Sequence, residues 1–266
     1  MVAIGYYFIG VRRGGAQQRS RSRKGSPKMT EGYKTPYALM TDKVVQHLEA
    51  SNVPWAGQGA MTAVIPPINF ATGVQFRGIN AVMAMISTIE NSFTVPAFAT
   101  FNQIRGKQVG GKIAKGAKAS HVYYSSTYER DPRAGEARRT NDAGKVEQMF
   151  LKGFAVFNAD QVTDYDLNLA NGQLPDLPEG IFTQIEEGTR DHLAADLAMA
   201  MVSWRSGTAA SFRHQGKMSG WIDTLQKDDR AFYRAATKAQ RITDKLFGTK
   251  DADDPGDEEG EGVRAA

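Results

Sequence analysis

Helical and strand periodicities are segregated along this chain. Before residue 168 the two alternate, and after the Pro-bearing stretch NGQLPDLPEG at 171–180 only helical spacing remains. Elements sorted in this way give an α+β fold. The expected architecture is a small mixed or antiparallel sheet with helices in the N-terminal part, followed by a mostly helical C-terminal part. Thr35 and Pro36 form an N-cap and N1 pair, and Tyr37, Met40, Val44, Val45 and Leu48 then recur at helical spacing as far as Asn52. Residues 53–80 are broken by Pro54, Pro66 and Pro67 and read as loop and hairpin, with a turn at Thr72-Gly73 inside an Asn69 to Phe76 unit. Ile79, Val82, Met83, Ile86 and Ile89 predict a second helix. Thr100 caps a short third one ending at Gly110-Gly111. Ser120 to Ser125 and residues 149–158 read as strands, and the polar, aperiodic residues 126–148 as an exposed loop between them. Three helices are expected at about 181–204, 219–226 behind Ser219, and 228–247 between Asp228 and Gly248. The last has an apolar stripe of Ala231, Ala235, Ala239, Ile242 and Leu246.

Composition excludes several classes. The 266 residues are 41% apolar, enough to close a core. With no cysteine, disulfides, thiolate zinc sites and a cysteine nucleophile are all ruled out. No stretch approaches the ~18 to 20 apolar residues of a membrane span. The apolar start VAIGYYFI at 2–9 is short for a secretory signal, and Arg12 and Arg13 follow it instead of preceding it. A cytoplasmic protein without membrane contact is expected.

The net charge of +4 is unevenly spread. Residues 1–30 carry seven Lys or Arg and no acid, whereas 249–266 carry seven acids against two bases. The sequence therefore divides into a basic disordered arm (1–32), a first domain (33–168), a helical domain (181–248) and an acidic disordered tail (249–266). The arm is either a polyphosphate-binding tail or upstream sequence preceding a start at Met29. The tail is either an idle solvated end or a competitor for the basic face.

Between Asn91 and Tyr128 there is no acidic residue, and Arg105, Lys107, Lys112, Lys115 and Lys118 are spaced there by glycines. Such a run favours a polyanion, and the paired Tyr123 and Tyr124 just after it favour one with stackable bases. Gly106 to Lys112 matches G-x-x-x-x-G-K, but Ile113 stands where a nucleotide-binding loop needs Ser or Thr for Mg²⁺, and a capped helix precedes it where a strand is required. His47, His121, His192 and His214 are scattered without an H-x-x-x-H pair. Asp164 with Asp166 and Asp228 with Asp229 sit in loop or cap contexts, so no metal, cofactor or catalytic set is assigned. Lys112, Lys115, Lys118, Arg77 and Arg105 are the candidate phosphate contacts, and Trp55, Phe76 and Tyr123 the candidate stacking rings, each with core packing as its alternative. Asn69, Thr72, Asn80, Gln103, Asn158 and Gln161 either bond backbone and base edges or cap local turns.

These residues fall in a familiar order. Pro54-Trp55, then NFATGVQFRGIN at 69–80, TFNQ at 100–103, VGGKIAKGAK at 109–118 and FAVFNADQV at 154–162 resemble, in order and spacing, the N-terminal domain of the ArdC antirestriction family. The resemblance covers about residues 36–165. It implies single-stranded DNA binding by proteins of plasmids and phages that shield incoming DNA from host restriction. Phe76 stands where the family's pattern has Tyr, and Ile113 at an apolar position of its lysine loop. Longer members carry a metallopeptidase-like helix with H-E-x-x-H, which is absent here. DHLAADLA at 191–198 and residues 221–247 still resemble the family's C-terminal end, with Asp196 at its acidic ligand position. The resemblance thus implies a non-catalytic remnant after the DNA-binding part. A rival expectation is a protein that disarms a host restriction or defence enzyme by direct contact, with its arm or tail as a decoy.

Overall fold

The computed structural model describes residues 34–57, 59–132, 140–141, 143–167, 176–177, 179–210 and 215–249. The basic arm, all but the first residue of the acidic tail, and most of the linker at 171–180 lie outside them. Helix α1 spans Pro36–Glu49; the Thr35 hydroxyl accepts from the Ala38 N–H at 3.1 Å, and Tyr37, Met40, Val44, Val45 and Leu48 are buried as their spacing requires. Strand β1, Ile68–Asn69, leads into the expected turn, where the Thr72 and Gly73 N–H groups both donate to the Asn69 carbonyl. Helix α2 follows at Gly78–Glu90, then β2 at Ala97–Thr100, α3 at Phe101–Arg105 and β3 at Lys112–Ile113. Strands β4 (Ser120–Arg130), β5 (Val146–Asn158) and β6 (Val162–Thr163) complete the strand-bearing part, and α4 (Ile181–Gly188), α5 (His192–Arg205), α6 (Met218–Lys227) and α7 (Ala231–Phe247) are the helices that end the fold.

The fold is α+β. A mixed four-stranded sheet has the order β1-β2-β5-β4, with β1 parallel to β2 and the other pairs antiparallel, and β3 pairs separately with β6. Three local expectations need correction. Residues 126–130 and 146–148 are strand, with Ser126 opposite Phe150, Tyr128 opposite Gln148 and Arg130 opposite Val146. Their polar content hid this because both faces of the pair are partly solvated there, while the ladder satisfies the backbone whatever the side chains are. The third helix stops at Arg105, and Gly106 to Gly110 form a turn. Residues 181–205 are two helices, since the Asp191 carboxylate accepts from the Ala194 N–H at 3.1 Å and starts a new one.

Helix α7 lies against α5, and its Ala235, Ala236 and Ala239 are buried. The main core joins Met40, Val44 and Trp55 to Val82 and Ile86 of α2, and to Leu197, Trp204, Leu225 and Phe232. The segments 33–168 and 181–248 thus fill one core.

Candidate nucleic-acid interface

The cationic segment hangs between α3 and β4, tied down at both ends. At its start Thr100 and Gln103 form a reciprocal capping box that fixes α3. Further on, β3 pairs with β6, the Ala114 N–H donates to the Gln161 carbonyl at 2.8 Å, and the Gln161 amide donates to the Lys118 carbonyl at 2.9 Å. Gly110 and Gly116 turn the chain at φ +69° and +85°, a region that disfavours residues with a Cβ. Gly111 lies so close to β6 that a Cβ there would stand 2.5 Å from Val162 Cγ1.

On this frame Arg105, Lys107, Lys112, Lys115 and Lys118 are all exposed. The Arg105 guanidinium sits 5.4 Å from the ring centroid of Phe101, itself exposed. Lys112 Nζ is 2.9 Å from Asp164 Oδ2, and that hydrogen bond and charge raise the pKa of its ammonium. An exposed pair of this kind is weak, so a phosphate can replace the carboxylate.

The amide side chains serve the fold. Asn158 is fully buried, donating to the Val95 carbonyl at 2.7 Å and capping the turn at Ala159–Gln161. Asn69 donates to Gln103 at 3.2 Å, and Asn80 holds both the N–H and the carbonyl of Tyr123, at 2.6 and 2.7 Å. Thr72 stays exposed in its turn.

The stacking candidates differ in exposure, and Trp55 is corrected. Trp55 is 0% exposed and donates to Asp196 Oδ2 at 2.8 Å, so no base can reach its ring. Phe76 is half-buried against the core, and Tyr123 half-buried, with burial raising the pKa of its phenol. Arg77 is ion-paired to Asp244 of α7. Conversely, Tyr124, Tyr128, Phe150 and Phe154 are exposed on β4 and β5. They recur at every fourth residue, Tyr124 with Tyr128 and Phe150 with Phe154, which in a strand puts each pair on one face; the intervening Ser126 and Lys152 leave this a weak signal in the sequence.

Residues 34–157 match the family profile described as the N-terminal domain of anti-restriction factor ArdC. Residues 34–157 are thus an ArdC-like N-terminal domain. Two solved structures of the antirestriction ArdC protein from plasmid R388 share its fold. The metal-free form superposes with a TM-score of 0.60 at 21% identity, covering 80% of this chain and 97% of that one. The Mn(II)-bound form gives 0.56 at 21%, covering 81% and 98%. Two Escherichia coli proteins named DNA primase TraC are 23% identical over 229 residues and 24% identical over 244 residues. These alignments take in 82% and 87% of the ArdC-like chain but only 18% and 15% of the primases, so the chain spans less than a fifth of their length.

One of those ArdC structures holds Mn(II), an ion that needs several oxygen or imidazole ligands gathered together. Asp196 is buried on α5 with one carboxylate oxygen occupied by the Trp55 indole, whose ring packs against Trp221 and Phe232. His47 is bonded to Glu90 and Asn52, far along the chain from Asp196. Among the described residues no three His, Cys, Asp or Glu side chains gather as a metal ion requires. The described residues thus do not fit a bound metal. Nor is any helix among them long and apolar enough to cross a membrane.

Proposed function

We infer that this ArdC-like protein binds single-stranded DNA with little sequence preference and shields the DNA of a mobile element from host restriction, acting as a binder without catalysis. One observation carries the reading: five cations are exposed on a glycine-turned loop anchored at both ends, inside a stretch from Asn91 to Tyr128 that contains no acid. A flexible polyanion can follow such a loop, and the ammonium and guanidinium groups neutralise its phosphates. The names of its relatives, an antirestriction protein of a plasmid and DNA primases, support a role in DNA handling on mobile elements. Asp196, with one carboxylate oxygen bonded to the Trp55 indole, supports a non-catalytic role.

A mobility-shift series with single-stranded DNA, double-stranded DNA and RNA oligonucleotides at several salt concentrations tests this. If four or five phosphates are neutralised, log K falls with log salt at a slope of about −3, at roughly −0.7 per phosphate for a single strand. Replacing Lys112, Lys115 and Lys118 together by Ala then flattens the slope by about 2. Salt-independent binding, or stronger binding to duplex than to single strand, would sink the reading.

A further inference from the structure

We propose that one face of the β4–β5 ribbon is the stacking platform for unpaired DNA bases, a site separate from the lysine loop; this rests on the single-stranded DNA reading above. Directly opposed residues of an antiparallel pair share a face, so Val122 and Phe154, Tyr124 and Lys152, Ser126 and Phe150, and Tyr128 and Gln148 lie on one side. Tyr124 is 54% exposed, Tyr128 46%, and Phe150 and Phe154 37% each. Four exposed rings on one face are a patch, unlike the single apolar residues scattered over any surface.

Charge selects the occupant. From Ser120 to Arg130 and from Val146 to Val156, the only acids are Glu129 and Glu147, which oppose each other on the far side of the ribbon. The aromatic side carries only cations: Lys152, whose Nζ stands 4.9 Å from the Phe154 ring centroid, and Arg130, which donates to Gln148 across the pair at 2.7 Å. A second copy docking here about a two-fold axis would set these cations against themselves, with no acid on this side of residues 120–130 and 146–156 to answer them. An added peptide strand would need the free edge of β4, and at Tyr123 the Asn80 side chain already holds both backbone groups of that edge. A strand with phosphates for the cations and bases for the rings satisfies both demands. Tyr128 and Phe150 already meet edge to face at 5.8 Å, which holds two of the rings in place before a base arrives.

The test uses the full chain and a fluorescein-labelled 20-mer of oligothymidine, followed by anisotropy. The double variant Tyr124→Ala, Phe154→Ala should raise Kd at least about tenfold while the salt slope stays as in the unaltered protein, because stacking rings release no counterions. Tyr124→Phe should bind as the unaltered protein does. Thermal melting of the same samples should give one common midpoint. In parallel, photocrosslinking of the unaltered protein to a 5-bromodeoxyuridine oligonucleotide should mark peptides from β4 or β5, which keeps the test open if a variant misfolds. An unchanged Kd in the double variant, or crosslinks confined to other segments, overturns the platform and leaves single-stranded DNA binding standing. Failure of the unaltered protein to bind at low salt overturns both. A dimer of the unaltered protein that the double variant abolishes would assign the face to a second copy and also overturn the platform.

Discussion

At the scale of single residues, Trp55 is sealed in the core and Tyr124 faces solvent. Trp55 follows a proline in a segment without periodicity, so nothing nearby in sequence announces its burial. Its partners lie on α5, α6 and α7: the carboxylate of Asp196 at 2.8 Å, and the rings of Trp221 and Phe232 at 6.2 and 5.8 Å. Tyr124 is next to Tyr123 and indistinguishable from it by composition, yet alternation along β4 half-buries one and exposes the other. Trp55→Phe keeps an aromatic ring in the core but withdraws a donor from a buried carboxylate, which costs about 1 to 3 kcal/mol. Denaturant unfolding should show that loss, with affinity for single-stranded DNA unchanged in the folded protein. Weaker DNA binding at full stability would instead return Trp55 to the interface.

At the scale of elements, the lysine loop depends on a close approach rather than on its own cations. Gly111 lets the chain pass within van der Waals reach of β6, where an added Cβ would meet Val162 Cγ1 at 2.5 Å and the Thr163 carbonyl at 3.2 Å. Gly111→Ala should therefore displace β3 from β6 and lower stability by about 1 to 3 kcal/mol, the usual cost of overpacking. Binding of single-stranded DNA should weaken with it, because Lys112 and Lys115 ride on that pair; denaturant unfolding and anisotropy on one preparation check both effects. Full stability and affinity in this variant would mean that the loop is not held by the β3–β6 contact. The helices were the most legible elements, because Thr35 with Pro36 and Thr100 with Gln103 state their caps locally. The outer half of the β4–β5 ribbon was the least legible, since a strand solvated on both faces leaves no apolar alternation for a reader of sequence to detect.

At the scale of the whole molecule, polar contacts of long sequence separation key the strand-bearing part to the C-terminal helices. Arg77 pairs with Asp244, the Gly78 N–H donates to Gln240 at 2.8 Å, and the Thr41 hydroxyl donates to the Asp229 carbonyl at 2.8 Å. The Asp244 side chain is only 4% exposed and also accepts from Gln240 and Thr249. Arg77→Ala removes its charged partner, and loss of a hydrogen bond to a charged group costs about 1.5 to 3 kcal/mol. The melting temperature should fall while the salt slope of DNA binding stays the same, the reverse of what a phosphate contact would give. A stable variant with a flatter slope would restore Arg77 to the interface. The α+β class, the caps at Thr35 and Thr100, the acid-free cationic loop and the resemblance to ArdC could be read from the sequence, because each is written in local spacing and residue type; the N-caps expected at Ser219 and Asp228 are instead Lys217 and Arg230. Which aromatics are core and which face solvent, and which partners Arg77, Asn80 and Asn158 hold, came from the packing. Burial and pairing across more than 40 residues depend on how helices and strands meet in space, and no local pattern encodes that.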